Sequence, residues 1–176
     1  NDDLYFLENG TFIWQSERDG FAHLYRFKDT GELVNQITRG KWALRSSGGP
    51  FWLRQSVQAI NEKSGKIYFT AMKESSVERH LYSVDLAGKN IKKISKEKGV
   101  HSIGCSPNGE YYFDKFSDSS TPPKLSLNSI SGEVVKIIDK PKLDLIIDME
   151  LQTPELFTIP TSDGFPMPAQ ILKPAD

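Results

Sequence analysis

The chain has 176 residues, 22 basic and 23 acidic side chains and a formal net charge of −1, a balance that favours neither a nucleic-acid nor an anionic-membrane partner. No run approaches the ~18 apolar residues of a membrane-spanning helix, and Asn1-Asp2-Asp3 lacks the basic and apolar regions of a signal peptide, so any targeting information is expected outside this chain. Cys105 is the single cysteine, which excludes an intrachain disulfide and a multi-cysteine metal site.

In chain order, Asn9-Gly10-Thr11 matches a glycosylation sequon, a triplet common by chance and without meaning outside a secretory context. Phe12-Ile13-Trp14, Leu24-Tyr25-Arg26-Phe27, Ile67-Tyr68-Phe69, Leu81-Tyr82-Ser83-Val84, Glu110-Tyr111-Tyr112-Phe113 and Val134-Val135-Lys136-Ile137-Ile138 follow as strands. Their aromatic and β-branched side chains fit a pleated, half-buried surface. Asp19-Gly20, Thr30-Gly31, Ser64-Gly65, Ala87-Gly88, Asn108-Gly109 and Ser131-Gly132 stand between them, where glycine supplies the positive φ of tight hairpins. Helical periodicity is absent through most of the first 140 residues, so antiparallel meanders are expected.

These strands repeat. His23-Leu24-Tyr25, Gly31 and Ile37-Thr38 return as His80-Leu81-Tyr82, Gly88 and Ile94-Ser95, each displaced by 57 residues. Tyr68-Phe69, Leu81, Gly88 and Ile94 return as Tyr112-Phe113, Leu125, Gly132 and Ile138, displaced by 44. A fixed order of aromatic strand, Leu-centred strand, glycine turn and apolar strand at this period predicts an all-β fold, a partial β-propeller of about three blades. A ring needs further blades, so neighbours are expected outside this chain.

Near Pro141 the pattern changes. Leu143, Leu145, Ile146, Ile147, Met149 and Leu151 are too dense for strand alternation and predict a short helix or packed connector ending before Pro154. Beyond it, Phe157-Thr158-Ile159 and Ala169-Gln170-Ile171-Leu172 flank Asp163-Gly164 and predict a hairpin. Pro166 and Pro168 place two missing donors on one side of the second strand, which makes it an edge. The expected division is blades over 1–140, a linker over 141–154 and the start of a second domain over 155–176.

The search for chemistry assigns no catalytic, substrate-binding or metal-ligating residue. Gly104-Cys105-Ser106-Pro107-Asn108 approaches a nucleophile elbow but lacks its closing glycine, and Pro107 has no N–H for an oxyanion hole. Ser106-Pro107-Asn108-Gly109 reads instead as a turn. His23 and His80 occupy equivalent repeat positions, a whole blade apart, and are read as structural. His101 has no obvious carboxylate partner in sequence and stays unassigned as a general base. Glu17, Arg18 and Asp19 read as a solvated hairpin tip, and Glu74, Glu78 and Arg79 as the corresponding tip of the next repeat, facing away from the core. Trp14, Trp42 and Trp52 read as blade packing rather than a glycan platform. No phosphate loop, calcium loop or paired-carboxylate motif occurs, and no cofactor is expected.

Phe12-Ile13-Trp14-Gln15-Ser16-Glu17-Arg18-Asp19-Gly20-Phe21-Ala22-His23-Leu24-Tyr25, with Gln36-Ile37-Thr38-Arg39-Gly40-Lys41-Trp42, resembles late propeller blades of the dipeptidyl peptidase IV family, of prolyl oligopeptidase-type serine peptidases. Ile67-Tyr68-Phe69-Thr70-Ala71, His80-Leu81-Tyr82-Ser83-Val84 and Cys105-Ser106-Pro107-Asn108-Gly109 resemble the blades that follow, and the tail from Glu155 to Pro174 the lead-in to the α/β-hydrolase domain. The resemblance implies a parent enzyme that releases Xaa-Pro or Xaa-Ala dipeptides from peptide N-termini through a Ser-Asp-His triad lying outside this chain. The family's paired glutamates for the substrate amine are also absent, since no Glu-Glu occurs here. It further implies peptide substrates and the parent's own hydrolase domain as partners, a homodimer as one assembly, and an extracytoplasmic location. The alternative is an independent propeller module for protein interaction, which shares the same blade grammar.

Overall fold

The computed structural model describes residues 4–46, 55–141, 143–148 and 152–174. Within these the chain forms three consecutive four-stranded antiparallel meanders. The first contains β1 (Leu4–Phe6), β2 (Thr11–Ser16), β3 (His23–Lys28) and β4 (Leu33–Gln36), and the second β5 (Val57–Asn61), β6 (Lys66–Ala71), β7 (His80–Asp85) and β8 (Lys92–Lys93). The third contains β9 (Val100–Cys105), β10 (Tyr111–Ser117), β11 (Lys124–Ser129) and β12 (Val134–Asp139). A short helix, α1 (Leu143–Asp148), leads to a separate hairpin of β13 (Glu155–Pro160) and β14 (Pro166–Ile171). The expected all-β architecture of three blades is therefore present. The connector contains the short helix, and the final hairpin turns where Asp163-Gly164 predicted. Trp52, Met149 and Leu151 lie outside the described residues.

Strand register explains the burial pattern. Opposed residues share a face, so Leu4, Trp14, Tyr25 and Gln36 form one transverse row across the first sheet, and Phe6, Phe12, Phe27 and Leu33 a second on the same side. The opposite side carries Ile13, Leu24 and Ile37, all buried, and packs on Val57, Ile67, Phe69 and Tyr82 of the second sheet. The other side of that sheet presents Tyr68, Leu81 and Ile94 to Ile103 and Tyr112 of the third. Alternation within each strand thus gives each blade one face for each neighbour, a leucine on one side and a tyrosine on the other in β3 and β7.

Register also corrects the third repeat. Tyr68 lies opposite Ser83, and the residue opposite Leu127, the counterpart of Ser83 displaced by 44, is Phe113 and not Tyr112. The span from Tyr68 to Leu81 exceeds that from Phe113 to Leu125 by one residue, so equal sequence offsets mismatch the pleat. Tyr112 faces the second sheet and is buried, whereas Phe113 faces outward and is 50% exposed. The strand list above also omitted β1, β4, β5, β8, β9 and β11. All but β11 lie at a sheet edge, and pairing with a neighbour rather than their own side chains keeps the short or polar ones extended.

The repeated turn glycines serve the stacking. A Cβ on Gly88 would meet the Ile37 carbonyl oxygen at 2.8 Å, and one on Gly132 the Ile94 carbonyl oxygen at 2.7 Å. Each β-turn therefore presses its glycine against the end of the preceding blade, at a φ of +76° and +88° respectively.

Candidate functional site

Two of the three histidines are built into the same device. Beyond the last residue of β4, Ile37 still donates to the Leu24 carbonyl at 2.8 Å, and the Leu24 N–H donates to the Thr38 hydroxyl at 3.0 Å. His23 Nε2 faces the Gly40 carbonyl at 2.9 Å, which can only accept, so Nδ1 accepts from the Thr38 hydroxyl at 3.1 Å. Blade two repeats the arrangement. Leu81 N–H donates to the Ser95 hydroxyl at 3.1 Å, the hydroxyl lies 3.0 Å from His80 Nδ1, and His80 Nε2 donates to Glu78 at 2.8 Å. The hydroxyl replaces the ladder carbonyl that a longer edge strand would supply. Both rings are buried and fully hydrogen-bonded, consistent with the structural reading of His23 and His80.

His101 departs from expectation because it does have a carboxylate partner. Its Nδ1 lies 2.7 Å from Asp114 Oδ2, and its Nε2 donates to the Glu97 carbonyl at 2.8 Å. The two residues are 13 apart in sequence but adjacent across the β9–β10 pair, where His101 lies opposite Phe116 and Asp114 opposite Ile103. Both ring nitrogens are engaged and the side chain is 2% exposed, so no nitrogen remains to take a substrate proton. Asp114 Oδ1 is buried without a hydrogen-bond partner among the described residues. The His80 and His101 rings sit 5.1 Å apart across the blade contact. Burial lowers the His80 pKa; Glu78 opposes that shift, and His101 and Lys93 add to it.

The second tip is also less solvated than its sequence suggested. Glu78 is held against buried His80, and Arg79 Nε donates to the His101 carbonyl at 3.2 Å. Tyr82 donates to Glu74 at 3.4 Å. In the first tip the Arg18 guanidinium lies 4.9 Å above the Tyr25 ring and 5.2 Å above Phe27, and Tyr25 donates to Asp19 at 2.7 Å. Burial, together with the Asp19 bond, pushes the Tyr25 phenol up to about 12. Trp42 stacks on Phe69 and meets the His23 ring edge-on, as packing requires, while Trp14 stays 37% exposed on the outer face of the first sheet.

Ser106 is a turn residue. Its hydroxyl accepts from the Glu110 and Tyr111 N–H groups at 3.2 and 3.1 Å and donates to Asn108 Oδ1 at 2.7 Å. Among the described residues it contacts no base. Cys105 is no better a nucleophile, because burial pushes its thiol up to about 12. Among the described residues no three His, Cys, Asp or Glu side chains converge as a metal site would need, and no helix is long and apolar enough to cross a membrane.

Two clefts mark one end of the blades. One of about 500 Å³ is lined by Ser75, Ser76 and Val77 from the β6–β7 loop and by Leu156, Phe157 and Pro168 from the hairpin. A second of about 540 Å³ runs from Glu17 and Phe21 past Trp42 and Arg45 to Glu74 and Phe165. Among the described residues neither cleft assembles a catalytic set.

Residues 1–123 match the family model of the dipeptidyl peptidase IV N-terminal region. A probable dipeptidyl-aminopeptidase B of Aspergillus terreus is 26% identical over 164 residues, 89% of this chain and 17% of that protein. Its Aspergillus oryzae counterpart is 27% identical over 154 residues, 84% of this chain and 16% of that protein. The crystal structure of Porphyromonas gingivalis dipeptidyl peptidase 4 superposes with a TM-score of 0.80 at 25% identity, over 98% of this chain and 23% of that one. A putative dipeptidyl aminopeptidase IV from Bacteroides ovatus shares the fold, with a TM-score of 0.74 at 20% identity over 92% of this chain and 24% of that one. The chain thus spans about one sixth of the length of the curated relatives it matches. With its stacked meanders and its matched residues, it belongs to the dipeptidyl peptidase IV N-terminal region family.

Proposed function

We propose that this chain is a non-catalytic propeller portion of a serine-type dipeptidyl peptidase, in which residues 155–176 begin the α/β-hydrolase domain. The parent enzyme would release Xaa-Pro or Xaa-Ala dipeptides, its propeller excluding folded proteins from an enclosed active site. The reading rests on the final hairpin. Leu156 is 58% and Phe157 46% exposed, and successive strand residues point to opposite faces, so apolar side chains stand uncovered on both sides. A sheet apolar on both faces is the pattern of an α/β domain with helices packed on each side. A blade of an interaction module needs no such hairpin after it.

The test compares this chain with a polypeptide extended beyond Asp176. Only the extended form is expected to hydrolyse a Gly-Pro chromogenic substrate and to take up a fluorophosphonate probe. Hydrolysis by the 176-residue chain that Ser106→Ala abolishes would overturn the assignment.

A further inference from the structure

The three blades differ in charge at one equivalent place, the last turn and last strand of each sheet. Register fixes the equivalence. Asn35 lies opposite Arg26, Lys92 opposite Ser83 and Lys136 opposite Leu127, and the carbonyl that closes the preceding turn belongs to Glu32, Lys89 and Glu133 in turn. Glu32, Asn35 and Gln36 of blade one and Glu133, Lys136 and Ile137 of blade three are thus matched in blade two by Lys89, Lys92 and Lys93. Lys96 and Lys98 follow, and all five lysines are exposed. The acids beside them in sequence are engaged: Glu97 binds Lys124 at 2.7 Å, and Asp85 accepts from Asn90 Nδ2 at 2.7 Å. Lysine on an exposed edge discourages pairing with another strand, but β4 holds the same edge with no lysine, so the fold itself does not require this row. Both neighbours of blade two belong to this chain, and they leave the rim open.

We propose that this rim of blade two docks on the phosphate headgroups of an anionic lipid surface. The overall charge of −1 conceals the site, because the excess is local, with five lysines and one glutamate between residues 89 and 98. Lysine is a compact point charge on a flexible stem and suits a diffuse array of phosphates, whereas a single phosphate or carboxylate is better held by the arginine fork. No arginine lies between Leu86 and Gly99. That stretch also lacks any aromatic side chain on which the bases of a single-stranded nucleic acid could stack, and it lines neither cleft described above. Ile91, 41% exposed, stands between Lys89 and Lys92 and supplies an apolar side chain for the headgroup layer. The backbone beneath is fixed, since the turn at Gly88 presses on blade one and Lys92 and Lys93 pair with Ser83 and Tyr82. Lys92 and Lys93 point to opposite sides of the strand, so the charge wraps the rim.

Co-sedimentation of the chain with lipid vesicles tests this. Binding is expected to vesicles of phosphatidylglycerol and phosphatidylcholine in equal parts, falling as salt is added, and not to phosphatidylcholine alone. Lys89→Glu, Lys92→Asn and Lys93→Gln together install the residues that blade one already holds at this edge, and should weaken binding about a hundredfold, at about fivefold per lysine. Lys28→Asn, Lys63→Glu and Lys66→Gln make the same change of charge elsewhere and should leave binding as in wild type. Ile91→Ser, which alters no charge, should lower the binding that survives salt. A wild-type chain that ignores the anionic vesicles, an equal loss in the charge-matched control, or capture by heparin or single-stranded DNA without vesicle binding would each overturn the proposal. The readout is partition and not hydrolysis, so its failure is separate from failure of the peptidase assignment.

Discussion

Replacing Ser95 with alanine isolates the hydroxyl device that ends blade two. The hydroxyl satisfies two buried groups at once, the Leu81 N–H at 3.1 Å and His80 Nδ1 at 3.0 Å, and Leu81 and His80 are both 0% exposed. Water cannot replace it without opening the contact between the second and third sheets. An unsatisfied buried group costs roughly 1–3 kcal/mol, and one such loss plus partial relaxation of the other gives about 2–4 kcal/mol. Ser95→Thr keeps the hydroxyl, and Thr38 already fills the equivalent place in blade one, so that variant should stay within about 1 kcal/mol of wild type. Urea unfolding followed by far-ultraviolet circular dichroism reads the difference as a shift in midpoint at constant slope. A loss below about 0.5 kcal/mol for Ser95→Ala with an unchanged slope would refute the claim that the hydroxyl is the partner of both groups.

Acid should weaken the same region. The folded His80 binds its proton less readily than the unfolded ordinary value of 6.5, so below that pH the unfolded chain holds more protons. This contribution to stability is complete above 6.5 and is lost as pH falls through the window beneath it; His80→Gln should flatten that part of the stability-pH curve, and an unchanged slope would contradict the shift. Gly132→Ala should destabilise more than Gly31→Ala by about 1–3 kcal/mol, because the two share nearly the same φ, +88° and +84°, but only Gly132 meets a neighbouring carbonyl. Equal losses in thermal melts would remove the packing role of that glycine. Cys105, with its thiol pushed up to about 12, should react with a disulfide reagent at pH 8 only as fast as urea exposes it; rapid labelling of the native chain would show the site to be open.

The sequence by itself determined the blade repeat, because turn glycines and aromatic strands are local requirements of antiparallel meanders and recur at fixed offsets. His23-Leu24-Tyr25 and His80-Leu81-Tyr82 already contained the two-faced logic of β3 and β7, and Ser106-Pro107-Asn108-Gly109 its own turn. The short edge strands β4 and β8 were hidden, since Leu33-Val34-Asn35-Gln36 and Lys92-Lys93 are extended by pairing and not by propensity. Only the tertiary structure joined His101 to Asp114, because pairing of β9 with β10 closes a gap of 13 residues that sequence separation cannot measure. It alone placed Phe113 outside and Tyr112 inside, where a one-residue difference in loop length changes which face of the pleat a side chain takes. It also decided that Glu78 and Arg79 join the blade contact, since a charged tip is solvated or engaged according to what the neighbouring strand presents to it.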